Sequence, residues 1–370
     1  MKIIVAPDKF KGSLTSFEAC KAISDGIRKA NEKTEIIEFP MADGGDGFSA
    51  VLQRYLKTDT VVCDTLDPLG RKITAVYQWD EKNKIAIIEM AVASGLVLLN
   101  EEERNPLLTS TFGTGLLIKH AIERGAKKII LGLGGSATND GGTGILSALG
   151  FQLISKSGSL LQASGENLLA IQKIIPAPFI PSVKFEIACD VQNVLYGHQG
   201  AAYIYAPQKG ADKEQVEFLD KGLKNLADIL KEQTGKDISK IPGTGAAGGI
   251  AACLLSFFDV NMKKGIELIT EAGDIENEIS GADLIITGEG KIDDQSGEGK
   301  VVGYIAALAK KYGVPCIGLC GITELDKTGS KKMGLKKIIA LQDGSVTNKE
   351  AMNNAAALLQ EKAAAIFTFL

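Results

Sequence analysis

The chain has 370 residues, of which 45% are hydrophobic and 23% charged, as in globular proteins, and this length favours two domains over one. The formal net charge is −4 and no segment is strongly basic, which excludes nucleic acid as an expected partner. No apolar run is long enough to span a membrane, and the N-terminal residues are typical of a strand rather than a signal peptide, so we expect a cytoplasmic protein without membrane association.

The six cysteines and two histidines restrict the chemistry of the protein. No C-x-x-C pair occurs, and isolated cysteines in a chain of this length are expected to be reduced, buried thiols. The histidines, His120 and His198, are too few for a histidine-based metal centre. Acid–base catalysis in such a protein would therefore depend on carboxylates or lysine.

The sequence begins with a β-α-β pattern. KIIVAP (2–7) has the continuous apolar character of a buried strand, and the following segment, 14–30, places apolar side chains at the spacing of one helix face. Thr15 and Glu18 form a capping-box pattern at the start of that helix. EIIEFP (35–40) is the next predicted strand.

The pattern changes near residue 60, which we interpret as a change of domain. Residues 60–91 alternate in polarity and turn at Asp-Pro-Leu-Gly and Glu-Lys-Asn, a pattern that predicts antiparallel strands. Beyond them the predicted elements are helix then strand at 111–135 and 143–155, a strand at 184–190, a helix capped by Asp212 at 212–233, a glycine-rich loop and helix at 243–258, strand, loop, helix and strand at 282–322, and a helix at 350–369.

This alternation of strands and helices predicts an α/β fold with mainly parallel sheets, whose ligands bind beyond the carboxyl ends of the strands. Seven polar clusters, six of them with glycine, stand mostly at strand-to-helix junctions, and these are APDKFKGS (6–13), MADGGDG (41–47), SATNDGG (136–142), ACDVQN (188–193), APQKGA (206–211), GTGAAGG (243–249) and TGEGKIDDQ (287–295). Asp and Gly are also ordinary turn residues, but seven clusters in such positions indicate a binding site.

Two of the clusters partly match a dinucleotide-binding motif. GLGGSA (132–137) follows a strand, but the next predicted strand (151–155) ends in Ser155 rather than in the acidic residue that would hold a ribose. GTGAAG (243–248) does not follow a strand. The two GEGK sequences lack the Ser or Thr of a P-loop, although other glycine-rich loops also hold ATP.

Taken in order, the clusters resemble those of the type 1 glycerate kinases. The motifs that carry the resemblance extend from residue 5 to about residue 300, and they are VAPDKFKGSLTS, PMADGGDGF, GGSATNDGG, ACDVQN, PQKGA, GAAGG and TGEGKIDDQSGEGK. The chain departs from the family pattern at Lys9, Asp46 and Val194, where Ser, Glu and Pro are usual.

The resemblance implies ATP-dependent phosphorylation of D-glycerate with Mg²⁺, usually at the 2-hydroxyl in bacterial members. It implies two α/β domains with a cleft between them, one Rossmann- or flavodoxin-like with a mainly parallel sheet and the other with a distinct mixed sheet. The first domain is expected to be discontinuous, residues 1–60 plus 280–370, and the second to comprise residues 61–279. A monomer or a homodimer is expected.

The sequence offers candidates for the substrate-binding part of such an enzyme. Lys11, near the end of the first strand, would hold the glycerate carboxylate or the transferred phosphate, and Arg71 is a second candidate. Asp8 and Ser13 are further candidate ligands, Ser13 because it precedes the first helix, where N–H groups favour an anion.

Carboxylates supply the candidate base and the candidate metal ligands. Asp190 ends a buried strand and is the first candidate for the base that accepts the hydroxyl proton, with Asn193 as its partner. Asp43 and Asp293 are the alternatives for that role. Glu289 and Asp293 are candidate Mg²⁺ ligands, with turn and cap positions as the alternative interpretation.

The phosphates of ATP are expected to lie on GGSATNDGG or on GTGAAGG. The residues proposed for this contact are Gly134, Gly135, Ser136, Gly245, Gly248 and Gly249. Two other classes of function stay open at this point: an NAD-dependent oxidoreductase acting on a small hydroxy acid, and a non-enzymatic small-molecule-binding protein of two-domain α/β architecture.

Overall fold

The computed structural model describes residues 1–43, 47–297, 300–342, 344 and 346–368. Its strands are, in chain order, β1 (Lys2–Pro7), β2 (Glu35–Glu38), β3 (Asp59–Leu66), β4 (Lys72–Asp80), β5 (Ile85–Glu89), β6 (Lys128–Gly132), β7 (Gln152–Ser155), β8 (Leu160–Leu161), β9 (Ile171–Ile175), β10 (Lys184–Ala188), β11 (Asp259–Lys263), β12 (Leu284–Ile292), β13 (Cys316–Thr323) and β14 (Lys337–Ala340).

The helices are α1 (Ser16–Ala30), α2 (Phe48–Leu56), α3 (Ala91–Ser94), α4 (Phe112–Glu123), α5 (Thr143–Ala148), α6 (Ala201–Tyr205), α7 (Lys213–Thr234), α8 (Ile250–Phe257), α9 (Gly265–Gly273), α10 (Ile275–Ile279), α11 (Val301–Tyr312), α12 (Lys327–Met333), α13 (Asn348–Asn353) and α14 (Ala355–Ala365). Among the described residues, we find no helix that combines the length and the apolar character needed to cross a membrane.

The chain folds into two compact units. The first unit comprises residues 1–56 and 265–370, and the second unit comprises residues 57–264. The segment 265–279, which the sequence assigned to the second domain, belongs to the first unit because α9 packs closely on it. A β-carbon at Gly273 would overlap the ring of Phe39.

The first unit contains a five-stranded, fully parallel sheet in the order β14-β13-β12-β1-β2. Numbered along this unit alone, the strand order is 2-1-3-4-5, the flavodoxin-like arrangement. The prediction of a Rossmann- or flavodoxin-like parallel sheet is therefore confirmed. In sheets of this order, ligands bind at the carboxyl ends of the two strands where the order reverses, which here are β1 and β12.

Residues 3–6 of β1 are fully buried, as expected for a strand covered on both faces. Helices α1 and α14 pack together, and Ile23 and Leu359 from these helices form a common core with Ile3 and Val5. The capping box at the start of α1 is present as predicted, because the Thr15 hydroxyl accepts from the Glu18 N–H and the Glu18 carboxylate accepts from the Thr15 N–H.

The structure corrects one prediction in the first unit. The segment TGEGKI was predicted as a loop, but it continues β12 as far as Ile292, so Glu289 is a strand residue. Parallel pairing with β13 extends through this segment, with Gly288 opposite Leu319 and Glu289 opposite Cys320. Gly288 permits this pairing because a β-carbon there would overlap the Leu319 carbonyl group.

The second unit contains a six-stranded mixed sheet in the order β11-β10-β6-β5-β4-β3. Strands β5, β6, β10 and β11 are parallel, whereas β3, β4 and β5 form the antiparallel part that the sequence predicts. Strand β7 lies in a separate three-stranded antiparallel sheet with β8 and β9. The strand that follows GLGGSA therefore does not pair with β6, which removes the structural context of a dinucleotide-binding fold.

The core of the second unit lies between the mixed sheet and its helices. Ile129 and Phe185 from the sheet pack in one cluster with Leu223 and Leu226 from α7. Helix α7 begins at the predicted cap, because the Asp212 carboxylate accepts from the Gln215 N–H. Since β5, β6 and β10 are parallel, their carboxyl ends lie at the same edge of the sheet, which we call the polar edge of the second unit.

Candidate functional site

Three of the predicted carboxylates come together at the carboxyl edge of the parallel sheet in the first unit. Asp8 directly follows β1, and its N–H donates to the carbonyl oxygen of Gly288 at 2.8 Å, which brings it beside Glu289 on β12. Asp43 lies close enough that its charge raises the pKa of both Asp8 and Glu289. These residues mark the point where the strand order reverses, which is where this type of fold binds its ligands.

Asp8 is the most perturbed carboxyl group of this cluster. Its side chain is only 6% exposed, and burial raises its pKa to about 7, with a further increase from the charge of Asp43. The charge of Lys9 and the hydrogen bond from the Lys9 N–H, at 2.6 Å, act in the opposite direction. A buried carboxyl with such a pKa at a ligand-binding edge is typical of functional sites.

Glu289 has a buried carboxylate oxygen that is available to bind a ligand. Its Oε1 atom is buried and has no hydrogen-bond partner among the described residues. Burial raises the pKa of Glu289, and the hydrogen bond with Ser296 and the charge of Lys300 lower it. Carboxylate oxygens of this kind suit Mg²⁺, which takes few protein ligands and keeps several waters.

Asp293 lies just beyond the end of β12 and also influences the charge of Glu289. Its N–H donates to the Ser296 hydroxyl at 3.1 Å, and its carboxylate lies 3.5 Å from the Lys291 ammonium. Within the described ranges, no three carboxylate, histidine or cysteine side chains are arranged to hold a metal ion by themselves. The cluster therefore fits a metal that takes most of its ligands from water or substrate.

Lys11 lies on an exposed turn next to Asp8. This turn borders a cavity of about 380 Å³ that is also lined by Ser13 and Met41. The Ser13 hydroxyl donates to the carbonyl oxygen of Met352 at 2.6 Å, so its position is fixed within the fold. Residues 44–46 of the MADGGDG cluster lie outside the described residues.

In the second unit, four of the predicted clusters meet at the polar edge. The Gly141 N–H donates to the Gly248 carbonyl at 3.0 Å, which joins SATNDGG to GTGAAGG. The Gly245 N–H donates to the Asn193 carbonyl at 2.9 Å, which joins GTGAAGG to ACDVQN. Lys209 of APQKGA completes the group by donating from Nζ to the SATNDGG segment.

Close backbone approach explains the glycines of the GTGAAGG cluster. A β-carbon at Gly248, where φ is +71°, would overlap the carbonyl group of Thr138. A β-carbon at Gly245 would likewise overlap the carbonyl oxygen of Val194. These two glycines pack loops together, and Gly249 is the residue that precedes α8.

The turn after β6 has the features of an anion site. Gly134 and Gly135 are exposed, and Gly135 has a φ of +72°. The backbone N–H groups of Gly134, Gly135 and Ser136 donate no hydrogen bond to any other described residue. Adjacent free N–H groups in a glycine-rich turn are a common means of binding phosphate.

Behind this turn lies a buried polar group that the sequence analysis did not single out. The Asp140 carboxylate is fully buried and accepts from Thr111 N–H and hydroxyl and from the N–H groups of Gly142 and Gly144. Burial raises the pKa of Asp140 and these donors lower it. Both amide atoms of Asn139 are buried without a partner among the described residues.

Asp190 and Asn193 follow β10 at the same polar edge, as expected. The Asp190 side chain is exposed. The Asn193 amide is engaged within the loop, because it donates to the Gln199 carbonyl at 2.9 Å and accepts from the Tyr205 hydroxyl at 2.6 Å. In this arrangement Asn193 shapes the loop that carries Asp190.

Arg71 also lies at this edge, just before β4. Its guanidinium pairs with Asp67 and Glu103, and these bonds raise its pKa. It also donates to the Leu98 carbonyl at 3.4 Å, in the segment whose Leu96 N–H donates to the Gly135 carbonyl. The charge of Arg71 is thus already balanced by two carboxylates.

Comparison with known proteins agrees with the motifs. The model of the glycerate kinase family matches residues 3–370. A glycerate kinase of Halalkalibacterium halodurans is 40% identical over 98% of this chain and 96% of its own length, and the glycerate 2-kinase of Escherichia coli is 39% identical over 96% and 94%. The crystal structure of a glycerate kinase 2 of Salmonella typhimurium superimposes with a TM-score of 0.88 and 36% identity, over 100% of this chain and 97% of that one.

These relatives also confirm the predicted α/β class and the prediction of a phosphotransferase, and they support neither an oxidoreductase nor a non-enzymatic binding protein. The chain belongs to the glycerate kinase family.

Proposed function

We propose that the protein transfers the γ-phosphoryl group of ATP to the 2-hydroxyl of D-glycerate and produces 2-phosphoglycerate. Family membership supports the reaction type, and the name of the Escherichia coli relative supports the 2-position. The observation that carries the proposal is the group of Asp8, Asp43 and Glu289 at the point where the strand order reverses. Phosphoryl transfer needs carboxylates that hold its cation.

The turn Gly134–Ser136 is the proposed phosphate site of this reaction. Its N–H groups donate no hydrogen bond within the described residues, and Gly134 and Gly135 are exposed. Phosphate oxygens would accept from them at little cost, because no internal bond has to be broken. In this proposal the glycines of GTGAAGG act indirectly, since Gly248 allows the Thr138 carbonyl to approach.

Mg²⁺ is the proposed cation, with Glu289 and Asp293 as its protein ligands. The buried, unpartnered Oε1 atom of Glu289 is the feature that fits a hard cation. When bound, Mg²⁺ would neutralise charge on the phosphate oxygens. Asp8, whose pKa is raised to about 7, would share a proton with a neighbouring carboxylate of this cluster or bind one of its water molecules.

Glycerate is proposed to bind near Lys11. The ammonium group of Lys11 is exposed beside the cavity of about 380 Å³, which exceeds the volume that a three-carbon acid requires. Asp190 is the proposed proton acceptor, with Asp43 and Asp293 as alternatives, since a loose transition state needs only a weak base. The proposal includes a cytoplasmic location, where thiols such as the six free, buried cysteines stay reduced.

The experiment is an assay of ADP release with D-glycerate, ATP and Mg²⁺, followed by phosphorus NMR of the product. We expect ADP formation that depends on all three components, and a product signal split by one proton, as a 2-phosphate requires. A signal split by two protons would place the phosphate on the 3-hydroxyl. Absence of ADP formation from purified, folded protein would overturn the proposal.

A further inference from the structure

Lys209 is a buried lysine that the proposed reaction does not yet use. It lies on the 3₁₀ turn Pro207–Lys209, and its side chain is only 1% exposed. Lysine is almost never buried to this degree without partners, because removing an ammonium group from water is costly. Its burial therefore has to be explained by what the ammonium group holds.

The ammonium group of Lys209 holds the segment that follows the proposed phosphate turn. Its Nζ atom donates to the Ser136 hydroxyl at 2.8 Å and to the Thr138 carbonyl at 2.6 Å. Ser136 is the last residue of the turn Gly134–Ser136. Lys209 thus joins the APQKGA cluster to the back of the turn, on the side away from solvent.

Asp140 is the buried carboxyl group that acts on the ammonium group of Lys209. Burial lowers the pKa of Lys209 to about 7, and the carboxylate of Asp140 acts in the opposite direction. The Asp140 carboxyl group accepts from four donors, on Thr111, Gly142 and Gly144, which lower its pKa, whereas burial, the larger effect, raises it. When Lys209 is protonated, its positive charge behind a turn with unbonded N–H groups favours an anion in front of the turn.

We propose that Lys209 is a positioning residue of the kinase, which holds the Gly134–Ser136 turn in the shape that binds the phosphate groups of the nucleotide. It acts through Ser136 and Thr138, and it does not touch the substrate, because its ammonium group is enclosed by the fold. This inference rests on the proposed role of the turn. Lys209 would affect nucleotide binding through its hydrogen bonds to the turn and not through contact with the nucleotide.

The test compares Lys209→Met with Ser136→Ala, and with Ser157→Ala as the control. Methionine fills the space of the lysine side chain but donates no hydrogen bond, and Asp140 keeps its four donors, so the variant is expected to fold. Ser157 is an exposed serine whose hydroxyl contacts only Ser155 and Ser159 among the described residues.

We expect Lys209→Met to raise the KM for ATP about tenfold or more, with a smaller change in the KM for glycerate. Ser136→Ala should raise the KM for ATP about threefold, and Ser157→Ala should leave it unchanged. The double variant Lys209→Met, Ser136→Ala should have the same KM for ATP as Lys209→Met alone, because both changes remove the same hydrogen bond. A residue that only stabilises the fold would lower the melting temperature without this selective effect on the nucleotide.

Hydrogen exchange separates this inference from the proposed reaction. The Ala137 N–H donates to the Ser94 carbonyl at 2.9 Å, so its protection reports the order of the turn without any substrate. We expect faster exchange of residues 133–139 in Lys209→Met and unchanged exchange of β13. Unchanged exchange in this segment, or an unchanged KM for ATP in a folded variant, would overturn the role of Lys209. If Lys209→Met does not fold, an unchanged KM in Ser136→Ala would overturn it.

Discussion

Asp8, directly after β1, lies beside Glu289 on the neighbouring parallel strand β12, because Pro7 pairs with Gly288 and the Asp8 N–H donates to the Gly288 carbonyl at 2.8 Å. Each carboxyl is largely withdrawn from water, the charge of Glu289 raises the pKa of Asp8, and the charge of Asp43 raises the pKa of both. This clustering of carboxyl groups lowers the stability of the folded state, which indicates a role in function rather than in folding.

Asp8→Asn is expected to stabilise the protein and to abolish its activity. The pKa of Asp8 is about 7 in the folded chain and 3.8 when unperturbed, so between these pH values the folded chain binds more protons than the unfolded one. Stability therefore falls as the pH rises from about 4 to 7, by at most about 4 kcal/mol. Asparagine does not titrate, so the variant does not lose this stability as the pH rises.

The measurement is the free energy of unfolding of the wild type and Asp8→Asn from pH 4 to pH 8. The difference between the two should be small near pH 4, should grow up to about pH 7, and should then stay constant. A difference that does not change with pH would show that Asp8 titrates like a solvated carboxyl.

Glu289→Gln is expected to raise the Mg²⁺ concentration required for half-maximal activity, by about tenfold. The amide keeps the shape of the side chain but removes the charge that a hard cation prefers. Asp294→Asn is the matched control, since Asp294 lies in the same segment and is exposed. Identical Mg²⁺ titrations for both variants and the wild type would exclude Glu289 as a ligand.

Gly135→Ala tests the phosphate turn against a glycine of the same backbone conformation. Gly135 has a φ of +72° and Gly235, at the end of α7, has a φ of +74°. Alanine at either position costs about 1 kcal/mol of stability, because side chains disfavour a positive φ. We expect only Gly135→Ala to raise the KM for ATP, since Gly235 lies outside the polar edge. Equal KM values in the two variants would make the turn merely structural.

Local sequence signals predicted the parts of the fold that depend on neighbouring residues. The capping box of Thr15 and the N-cap of Asp212 were predicted correctly because their hydrogen bonds join residues three positions apart. The antiparallel strands within 60–91 were also predicted correctly, because turn-forming residues separate them in the sequence. The ordered motifs also predicted the family.

Features that depend on distant residues were missed. Glu289 was predicted in a loop because glycine and polar residues surround it, but pairing with β13 determines its conformation. Lys209 and Asp140 were not singled out, since the sequence does not reveal that packing of the loops buries their side chains. The APQKGA and SATNDGG clusters marked the right segments without indicating which side chain points inward.

Asp190→Asn is expected to lower kcat by about a hundredfold with little change in KM, if this carboxylate accepts the hydroxyl proton. Asp259→Asn is the control, because Asp259 is an exposed aspartate at the opposite end of the strand pair formed by β10 and β11. A kcat within threefold of the wild type would transfer the role of proton acceptor to Asp43 or Asp293.

Gly248→Ala tests whether the loops of the polar edge must touch. Gly248 and Gly313 have almost the same φ, +71° and +70°, but only at Gly248 would a β-carbon meet other atoms, at the Thr138 carbonyl. Gly313→Ala should cost about 1 kcal/mol for the positive φ alone. Gly248→Ala should cost more, and it should also lower activity because the Thr138 carbonyl, which accepts from Lys209, has to move. Thermal melting and kcat/KM of the two variants measure this, and equal losses in both would show that the contact between the loops carries no function.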